Sequence, residues 1–187
     1  MKIISLNSNE IQLINQAVLA DRQAQLQLYK KYSPKMLSVC RQYIKDLQFA
    51  EDVMVNGFVK VFKFLKTFKN EGSFEGWVRK IMVRECISYL RKQQFVVYDD
   101  DLFENNNTLN SIQSSELDVA HIQLLIDALP TGYRTVFILY TVEGYKHQEI
   151  AEMLDISEST SKSQLSKARK SLKEKLKQQK IIGYGTK

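Results

Sequence analysis

The sequence predicts an all-α protein built from two helical domains. Apolar residues recur every three or four positions along most of the 187 residues, and the alternation that is typical of strands is nearly absent. The longest interruption of this pattern, 94–117, is rich in Asp, Asn and Ser. We therefore expect one helical bundle before this stretch and a second one after it, joined by a flexible acidic linker.

The first predicted domain, 1–93, contains a series of helices separated by short breaks. Apolar spacing indicates helices within 11–18, 24–32, 50–65 and 77–92. Pro34 is expected to begin a further helix, because proline is tolerated in the first turn. The stretch "KNEGSFEG" has two glycines and is predicted to be a loop.

The second predicted domain, 118–180, is shorter and ends in a tail, 181–187. Helical spacing from Val119 stops at Pro130, resumes through Tyr140 and is broken again at Gly144. A short helix over 147–154 and a tight turn then lead into a long helix, with Ser157 well placed as its N-cap.

Composition excludes several classes of protein. The chain is 44% hydrophobic and 26% charged, as expected of a globular protein, and no apolar run is long enough to cross a bilayer, so we expect neither membrane insertion nor export from the cytoplasm. The two cysteines and two histidines form no metal-ligand pattern and no catalytic constellation. We expect no metal, no cofactor and no enzymatic activity.

Charge is distributed unevenly. Between Gln93 and Tyr133 lie seven of the 21 acidic residues and none of the 27 Lys and Arg residues, although the net charge is +6. Two basic lobes thus flank an acidic connector. Basic lobes favour a polyanionic partner, with solubility as the alternative reason for the charge.

The two helices on either side of Asp155 have the spacing of a helix-turn-helix. One side of the second helix carries small hydroxyl, amide and basic side chains that suit base edges and phosphates in a major groove. These candidate DNA-binding residues are Ser159, Thr160, Lys162, Ser163, Gln164, Ser166, Lys167 and Lys170. The alternative is a surface helix whose serines face water. The many poor helix formers argue against it.

Three stretches resemble a known family. "LPTGYRTVFILYTVEGYKHQEIAEMLDISESTSKSQLSKARKSL" resembles region 4 of the extracytoplasmic-function (ECF, group IV) sigma factors of bacterial RNA polymerase. "LYKKYSPKMLSVCRQYIKDLQFAEDVMVNGFVKVFKFL" is similar to regions 2.1 and 2.2, and "FKNEGSFEGWVRKIMVRECISYLRKQ" to regions 2.3 and 2.4. Some short segments, such as "SPKM" and "EGY", most resemble the corresponding segments of family members from Bacteroidetes.

The resemblance implies a polymerase-binding surface in the first domain. Residues on the outer side of the 50–65 helix would contact the β′ clamp helices, and the second domain would contact the β flap. The candidates are Glu51, Asp52, Val55, Asn56, Val59 and Lys60. Without the family, an ordinary solvated helix face would be the default interpretation.

The same resemblance implies that the glycine-containing loop and the helix after it open the promoter. The loop would capture a nontemplate base of the minus-ten element, aromatic side chains would offer stacking surface, and basic residues would neutralise the backbone. The candidates are Asn70, Ser73, Phe74, Trp77, Lys80, Arg84 and Arg91. Phe74 and Trp77 could equally be core residues.

The chain departs from the family pattern at a few positions. The family usually has Gln-Glu at Val55-Asn56, Asn at Arg84 and often Asp at Ser88, while Gly is common at Asp155 and at Ser159. These departures bear on polymerase affinity and on promoter preference. Asp155 is compatible with the turn, since Asp tolerates left-handed backbone better than most residues.

Taken together, the residues and the resemblance predict a sigma factor that binds core RNA polymerase and promoter DNA and is a monomer when free, with an anti-sigma factor as a further candidate partner. One rival is a stand-alone helix-turn-helix regulator, which leaves the first domain unexplained. The other, an enzyme of nucleic acids, lacks the paired carboxylates, metal ligands or nucleophile that its chemistry requires.

Overall fold

The computed structural model describes residues 8–94 and 119–183, and every regular element in those two ranges is helical. The predicted all-α fold is confirmed. Contacts divide the chain into an N-terminal unit, Met1–Val96, and a C-terminal unit, Val97–Lys187. The predicted linker lies outside the described residues, apart from Gln94, so its flexibility stays a prediction. No helix within 8–94 or 119–183 has the length and apolar content needed to span a bilayer.

Within residues 8–94, the N-terminal unit has four helices and one 3₁₀ turn. These are α1 (Ser8–Val18), α2 (Arg22–Tyr43), α3 (Leu47–Phe64), the 3₁₀ turn Leu65–Thr67, and α4 (Phe74–Gln94). The side chains of Asp21, Asp46 and Ser73 each accept a hydrogen bond from the backbone N–H three residues later, at 2.9–3.0 Å. Each such cap contributes about 1 kcal/mol and marks where α2, α3 and α4 begin.

Pro34 does not begin a helix, contrary to the expectation from its sequence. Instead α2 continues through it as a single helix of 22 residues. Pro34 is exposed, so the carbonyl four residues earlier, which loses its N–H partner, lies on the solvent side of the helix. The buried stripe of Leu28, Tyr32, Met36 and Val39 continues without a break on the other side, and this burial outweighs the cost of the proline.

Helices α3 and α4 pack closely where Gly57 faces Met82. A Cβ at Gly57 would overlap the Sδ of Met82 and lie 2.9 Å from its Cε, and the Met82 side chain is itself fully buried. The thioether of Met82 therefore occupies the space that any larger residue at 57 would need. Ala50, Val53 and Phe58 complete the buried side of α3.

Helix α1 is held to α2 by a carboxylate as well as by apolar contact. Ile14 and Ala17 are buried, and Glu10 Oε1 accepts hydrogen bonds from Lys31 Nζ at 2.6 Å and from the Tyr32 hydroxyl. Partial burial alone would raise the pKa of Glu10, but the hydrogen bonds from Lys31 and Tyr32 and the charge of Lys31 lower it below its ordinary value. Burial and the bond to Glu10 raise the pKa of Tyr32.

The C-terminal unit contains α5 (Val119–Asp127), α6 (Thr131–Thr141), α7 (His147–Leu154) and α8 (Glu158–Gly183). Its core joins all four helices and comprises Leu125, Leu129, Val136, Ile138, Leu139, Ile150, Leu165 and Ala168. Arg134 is buried in α6, and its guanidinium donates to the carbonyl of Asp127 at 3.3 Å, at the end of α5. Burial lowers the pKa of Arg134, an effect that the charge of Asp127 opposes.

Cys40 on α2 and Cys86 on α4 are both fully buried free thiols. A hydrogen bond between them, together with burial, raises the pKa of Cys86. A buried thiol that stays protonated is a poor nucleophile and a poor metal ligand, so the pair acts as part of the core.

We predict that Gly57→Ala and Met82→Ala are strongly coupled. The Ala at 57 gains about 1 kcal/mol of helix propensity, but it must displace Met82, at a cost of about 1–3 kcal/mol. Met82→Ala alone leaves a cavity and costs about 2–5 kcal/mol. In the double variant, the new methyl group occupies part of that cavity. Urea unfolding followed by Trp77 fluorescence should show a double variant more stable than the two single effects predict, and simple additivity would contradict this packing.

The lowered pKa of Glu10 predicts a specific pH dependence. A carboxyl whose pKa is depressed in the folded state stabilises that state above its unfolded value of 4.5, and the stabilisation is lost as the pH falls through the folded pKa. Glu10→Gln should therefore lower the melting temperature at pH 7, and the difference from the natural chain should shrink below about pH 4.5. Thermal melts monitored through Trp77 at pH 7, 5, 4 and 3 test this. A difference that does not change with pH would rule out the ion pair as its source.

Candidate functional site

The turn between α7 and α8 brings these two helices together. Asp155 has left-handed backbone, with φ 58° and ψ 48°, and the N–H of Ile156 donates to the carbonyl of Ala151 at 3.1 Å. This is the conformation for which Gly is the default residue, and Asp adopts it at a small cost. The turn therefore has the tight form expected of a helix-turn-helix.

Small residues let α8 lie close to the rest of the C-terminal unit. Ser161, Leu165 and Ala168 are all buried on its inner side. The hydroxyl of Ser161, which is 0% exposed, lies 2.9 Å from Nδ1 of His147 at the start of α7. This bond fixes α8 against α7. Sequence reasoning missed it, since nothing in the spacing links two residues fourteen positions apart.

The hydroxyl groups at the start of α8 form a local network around Ser157. Its Oγ accepts the backbone N–H of Thr160 at 3.0 Å, which confirms Ser157 as the cap of this helix. The same Oγ lies 2.8 Å from the hydroxyl of Ser159 and 2.7 Å from that of Thr160. These hydroxyls therefore organise the end of the helix that would enter a groove.

The remaining candidates lie along the outer side of α8. Of the eight predicted DNA-binding residues, all but Thr160 and Gln164 are exposed, and those two are half-buried. The hydroxyl of Ser163 donates to the carbonyl of Thr160 at 3.0 Å. Lys162 pairs with Glu158 at 2.6 Å, and its hydrogen bond and charge lower the pKa of Glu158. Exposed pairs of this kind stabilise little and open readily to a phosphate.

The beginning of α6 lies beside this surface, which the sequence did not indicate. The ammonium of Lys167 is 5.8 Å from the ring centroid of Tyr133, a cation–π distance. The side-chain amide of Gln164 lies 3.4 Å from where a Cβ at Gly132 would be. Gly132 and Tyr133 thus join Gln164 and Lys167 in one surface, because α6 is the helix against which α8 packs.

In the N-terminal unit, the predicted loop lies over an aromatic cluster. Asn70 and Gly72 have positive φ, 58° and 90°, so the chain reverses sharply between the 3₁₀ turn and α4. Beneath it, Phe74 stacks on Trp77 with centroids 5.7 Å apart, and Phe68 contacts both rings. Phe74 is only 1% exposed and forms the floor of the loop, whereas Trp77 is half-buried.

The basic candidates on α4 fall in line with Trp77. Positions 77, 80, 84 and 91 are separated by three, four and seven residues, which places them on one side of a helix. Lys80 and Arg84 are exposed and Arg91 is half-buried. This stripe starts at the loop, with Ser73 as the N-cap of the helix that carries it.

The candidate polymerase surface on α3 is exposed along its whole length. All six predicted residues face solvent in the unit, and two of them are apolar, with Val55 46% and Val59 61% exposed. Lys60 reaches across to Glu85 on α4 at 2.6 Å. Leu47 and Phe49, at the start of the same helix, are each 49% exposed and were not among the predicted residues. Their exposure could not be foreseen, because each could have belonged to the buried stripe.

Within the described parts of the chain, no three His, Cys, Asp or Glu side chains are grouped so that they could hold a metal ion. The side chains of the surfaces described above offer hydrogen bonding, stacking, charge and apolar contact, which are interactions that bind a partner.

Comparison with known proteins places both units in one family. Residues 28–96 match sigma-70 region 2, and residues 121–172 match sigma-70 region 4. The RNA polymerase sigma factor SigV of Bacillus subtilis is 31% identical over 129 residues, covering 68% of this chain and 76% of that protein. The ECF RNA polymerase sigma-E factor of Haemophilus influenzae is 23% identical over 177 residues, covering 88% and 93%.

A solved structure is also similar, that of the sigma factor RpoE in complex with the anti-sigma factor NepR from Bartonella quintana. It is 24% identical, with a TM-score of 0.49, and the match covers 81% of this chain and 95% of that one. With regions 2 and 4 both matched, and with a relative above 30% identity, the chain belongs to the sigma-70 family of RNA polymerase sigma factors, in the extracytoplasmic-function class.

Proposed function

We propose that the N-terminal unit of this sigma factor holds core RNA polymerase through the outer side of α3 and captures the minus-ten element through the loop before α4. The C-terminal unit places α8 in the major groove of the minus-thirty-five element. The observation that carries this proposal is the outer side of α8, a helix fixed by the Asp155 turn and the Ser161–His147 bond, with six exposed polar or basic candidates.

The geometry assigns different tasks to the two ends of that outer side. Residues in the first turns of a recognition helix face base edges, and residues further along reach the phosphate backbone. Ser159 and Ser163 belong to the first group and Lys170 to the second. Lys167 and Gln164 lie against Tyr133 and Gly132, so they meet DNA together with the start of α6.

The loop of the N-terminal unit suits an unpaired base. Its positive-φ residues leave backbone exposed for hydrogen bonds, Trp77 presents ring surface, and Lys80 and Arg84 continue the contact along the strand. Phe74 takes part as the support beneath Trp77. The exposed valines of α3 suit a protein partner, for which the β′ clamp helices are the proposed site; the β flap is the proposed partner of the C-terminal unit.

Several finer points belong to the same proposal. Action on RNA polymerase places the protein in the cytoplasm, and an anti-sigma factor is its candidate regulator. Group IV membership and an origin in Bacteroidetes are proposed from short sequence segments that resemble those of such family members.

Run-off transcription with purified core polymerase on a genomic promoter library tests the function directly. A stand-alone DNA-binding regulator would bind duplex DNA but would neither bind core polymerase nor yield transcripts.

We predict that reversing one charge on α3 weakens polymerase binding without unfolding the chain. Asp52 is exposed and lies outside the apolar core, so Asp52→Lys should leave the thermal melt nearly unchanged while it lowers affinity for core polymerase about tenfold or more. Asp21→Lys, at the exposed N-cap of α2, is a control for charge reversal away from α3, and the stability that it loses with the cap is measured separately. Wild-type affinity of Asp52→Lys for core polymerase, measured by fluorescence anisotropy, would remove Asp52 from the interface.

We predict that two outward residues of α8 differ in the kind of contact that they make. Ser163→Ala should change which minus-thirty-five sequences are preferred, by about 1–3 kcal/mol for a lost base contact. Lys170→Ala should weaken all sequences alike and flatten the salt dependence by about one counterion. Selection from a randomised minus-thirty-five library by holoenzyme, repeated at several salt concentrations, separates the two effects. The reverse pattern would mean that α8 lies in the groove in another orientation.

A further inference from the structure

Glu10 is connected to the strand-capturing loop through a chain of direct contacts. The Tyr32 hydroxyl donates to Glu10 Oε1, and the Tyr32 ring meets Phe74 edge-on, with centroids 5.5 Å apart. Phe74 in turn stacks on Trp77 at 5.7 Å. The first two steps join different helices, α1 to α2 and α2 to α4, and the last step runs within α4 from its first residue, Phe74, to Trp77.

The inner members of this chain have little freedom to move independently. Tyr32 is 4% exposed and Phe74 is 1% exposed, so a rotation of one ring requires the other to shift. Phe68, which leads from the 3₁₀ turn into the loop, contacts both Phe74 and Trp77 at 5.2 and 5.5 Å. Both ends of the loop therefore lie on rings whose position depends on Tyr32.

The hydroxyl of Tyr32 donates to a charged acceptor, the carboxylate of Glu10, and this bond determines where the Tyr32 ring lies in the core. A hydrogen bond to a carboxylate is stronger than one between neutral groups, and it is directional. Glu10 is itself held in place by its helix, because α1 is anchored by the buried side chains of Ile14 and Ala17. A carboxylate on α1 thus determines where the floor of the loop lies.

From this geometry we infer that Glu10 is a positioning residue for base capture by the 69–73 loop: it touches no DNA and acts through Tyr32, Phe74 and Trp77. The inference rests on the proposed role of the loop and extends it to α1. Loss of the Glu10–Tyr32 bond lets Tyr32 and Phe74 settle differently, which moves Trp77 and loosens the pocket for the base. Contacts with the rest of the promoter stay as they were.

The test uses the full chain and two readouts. Trp77 is the only tryptophan in the sequence, so its emission maximum and its quenching by acrylamide report on the floor of the loop without any ligand. For function, a promoter found by run-off transcription is made into fork-junction templates in which each nontemplate base of the minus-ten element is replaced in turn by an abasic site. The ratio of holoenzyme affinities for the intact and abasic templates measures base capture.

Four variants separate positioning from general loss of stability. Glu10→Ala and Tyr32→Phe both remove the bond, whereas Lys31→Ala removes the ion pair and the cation–π contact of Lys31 with the Tyr32 ring and leaves the phenol bound to Glu10. Asp46→Ala removes the cap of α3, which accepts the N–H of Phe49, and so destabilises the same unit away from the cluster. All are compared at a temperature at which each variant is fully folded by circular dichroism.

We expect Glu10→Ala and Tyr32→Phe to shift the Trp77 emission and raise its quenching constant. The affinity ratio at the captured base should fall by about three- to tenfold in both, because only part of the roughly tenfold or larger effect of a lost hydrogen bond to a charged group is expected to reach the loop. Lys31→Ala and Asp46→Ala should keep natural values of both readouts, and Glu10→Gln, which retains an acceptor for the phenol, should restore most of the ratio.

Three outcomes would overturn the inference: an unchanged Trp77 signal in both Glu10→Ala and Tyr32→Phe, an altered signal with an unchanged affinity ratio, or an equal fall of the ratio in Asp46→Ala. If the natural chain supports no transcription, the proposed function fails instead. The Trp77 comparison then still decides whether Glu10 controls the floor of the loop.

Discussion

The close approach of α3 and α4 at Gly57 is the contact on which the N-terminal unit depends. Because the Met82 side chain occupies the space beside Gly57, the two helices meet with Ala50, Val53 and Phe58 turned inward. The other side of α3 is then left to solvent, valines included, while α4 keeps the stripe from Trp77 to Arg91 away from that contact. The proposed protein-binding surface and the proposed strand-binding surface thereby arise from one packing arrangement, with no side chain assigned to both.

The C-terminal unit depends on an equally local constraint, which involves one turn residue and two small side chains. One residue with left-handed backbone, Asp155, sets the angle between α7 and α8, and two small residues, Ser161 and Ala168, let α8 lie close to the core. The polar side chains on the opposite side of α8 are positioned together, because they all belong to one long helix. The inner side of α8 therefore determines how the helix is oriented, whereas its outer side carries the residues that are proposed to bind DNA.

Much of this could be predicted from the sequence, since periodicity reports which side of a helix is buried. The helical class, the cap at Ser157, the inner side of α8 and the exposure of Val55 and Val59 all follow from spacing and residue type. What could not be predicted depends on contacts between distant positions. Tyr133 beside Lys167, His147 beside Ser161 and Glu10 beside Tyr32 involve residues that no local pattern relates. Pro34 shows the converse, because burial of one side of α2 outweighed a strong local signal.

The shared hydroxyl network around Ser157 has a consequence for how promoter preference can diverge among relatives. Ser159 and Thr160 both bond to the oxygen that caps α8, so a substitution at either changes the anchoring of the helix together with its proposed contacts to DNA. Ser166 and Lys170 lie beyond the first turns and outside that network, on the exposed side of the same helix. Mutations there leave the cap of α8 intact, so single substitutions in the later turns can adjust affinity for the DNA backbone, whereas a change of base contacts at the start of the helix must also preserve its anchoring.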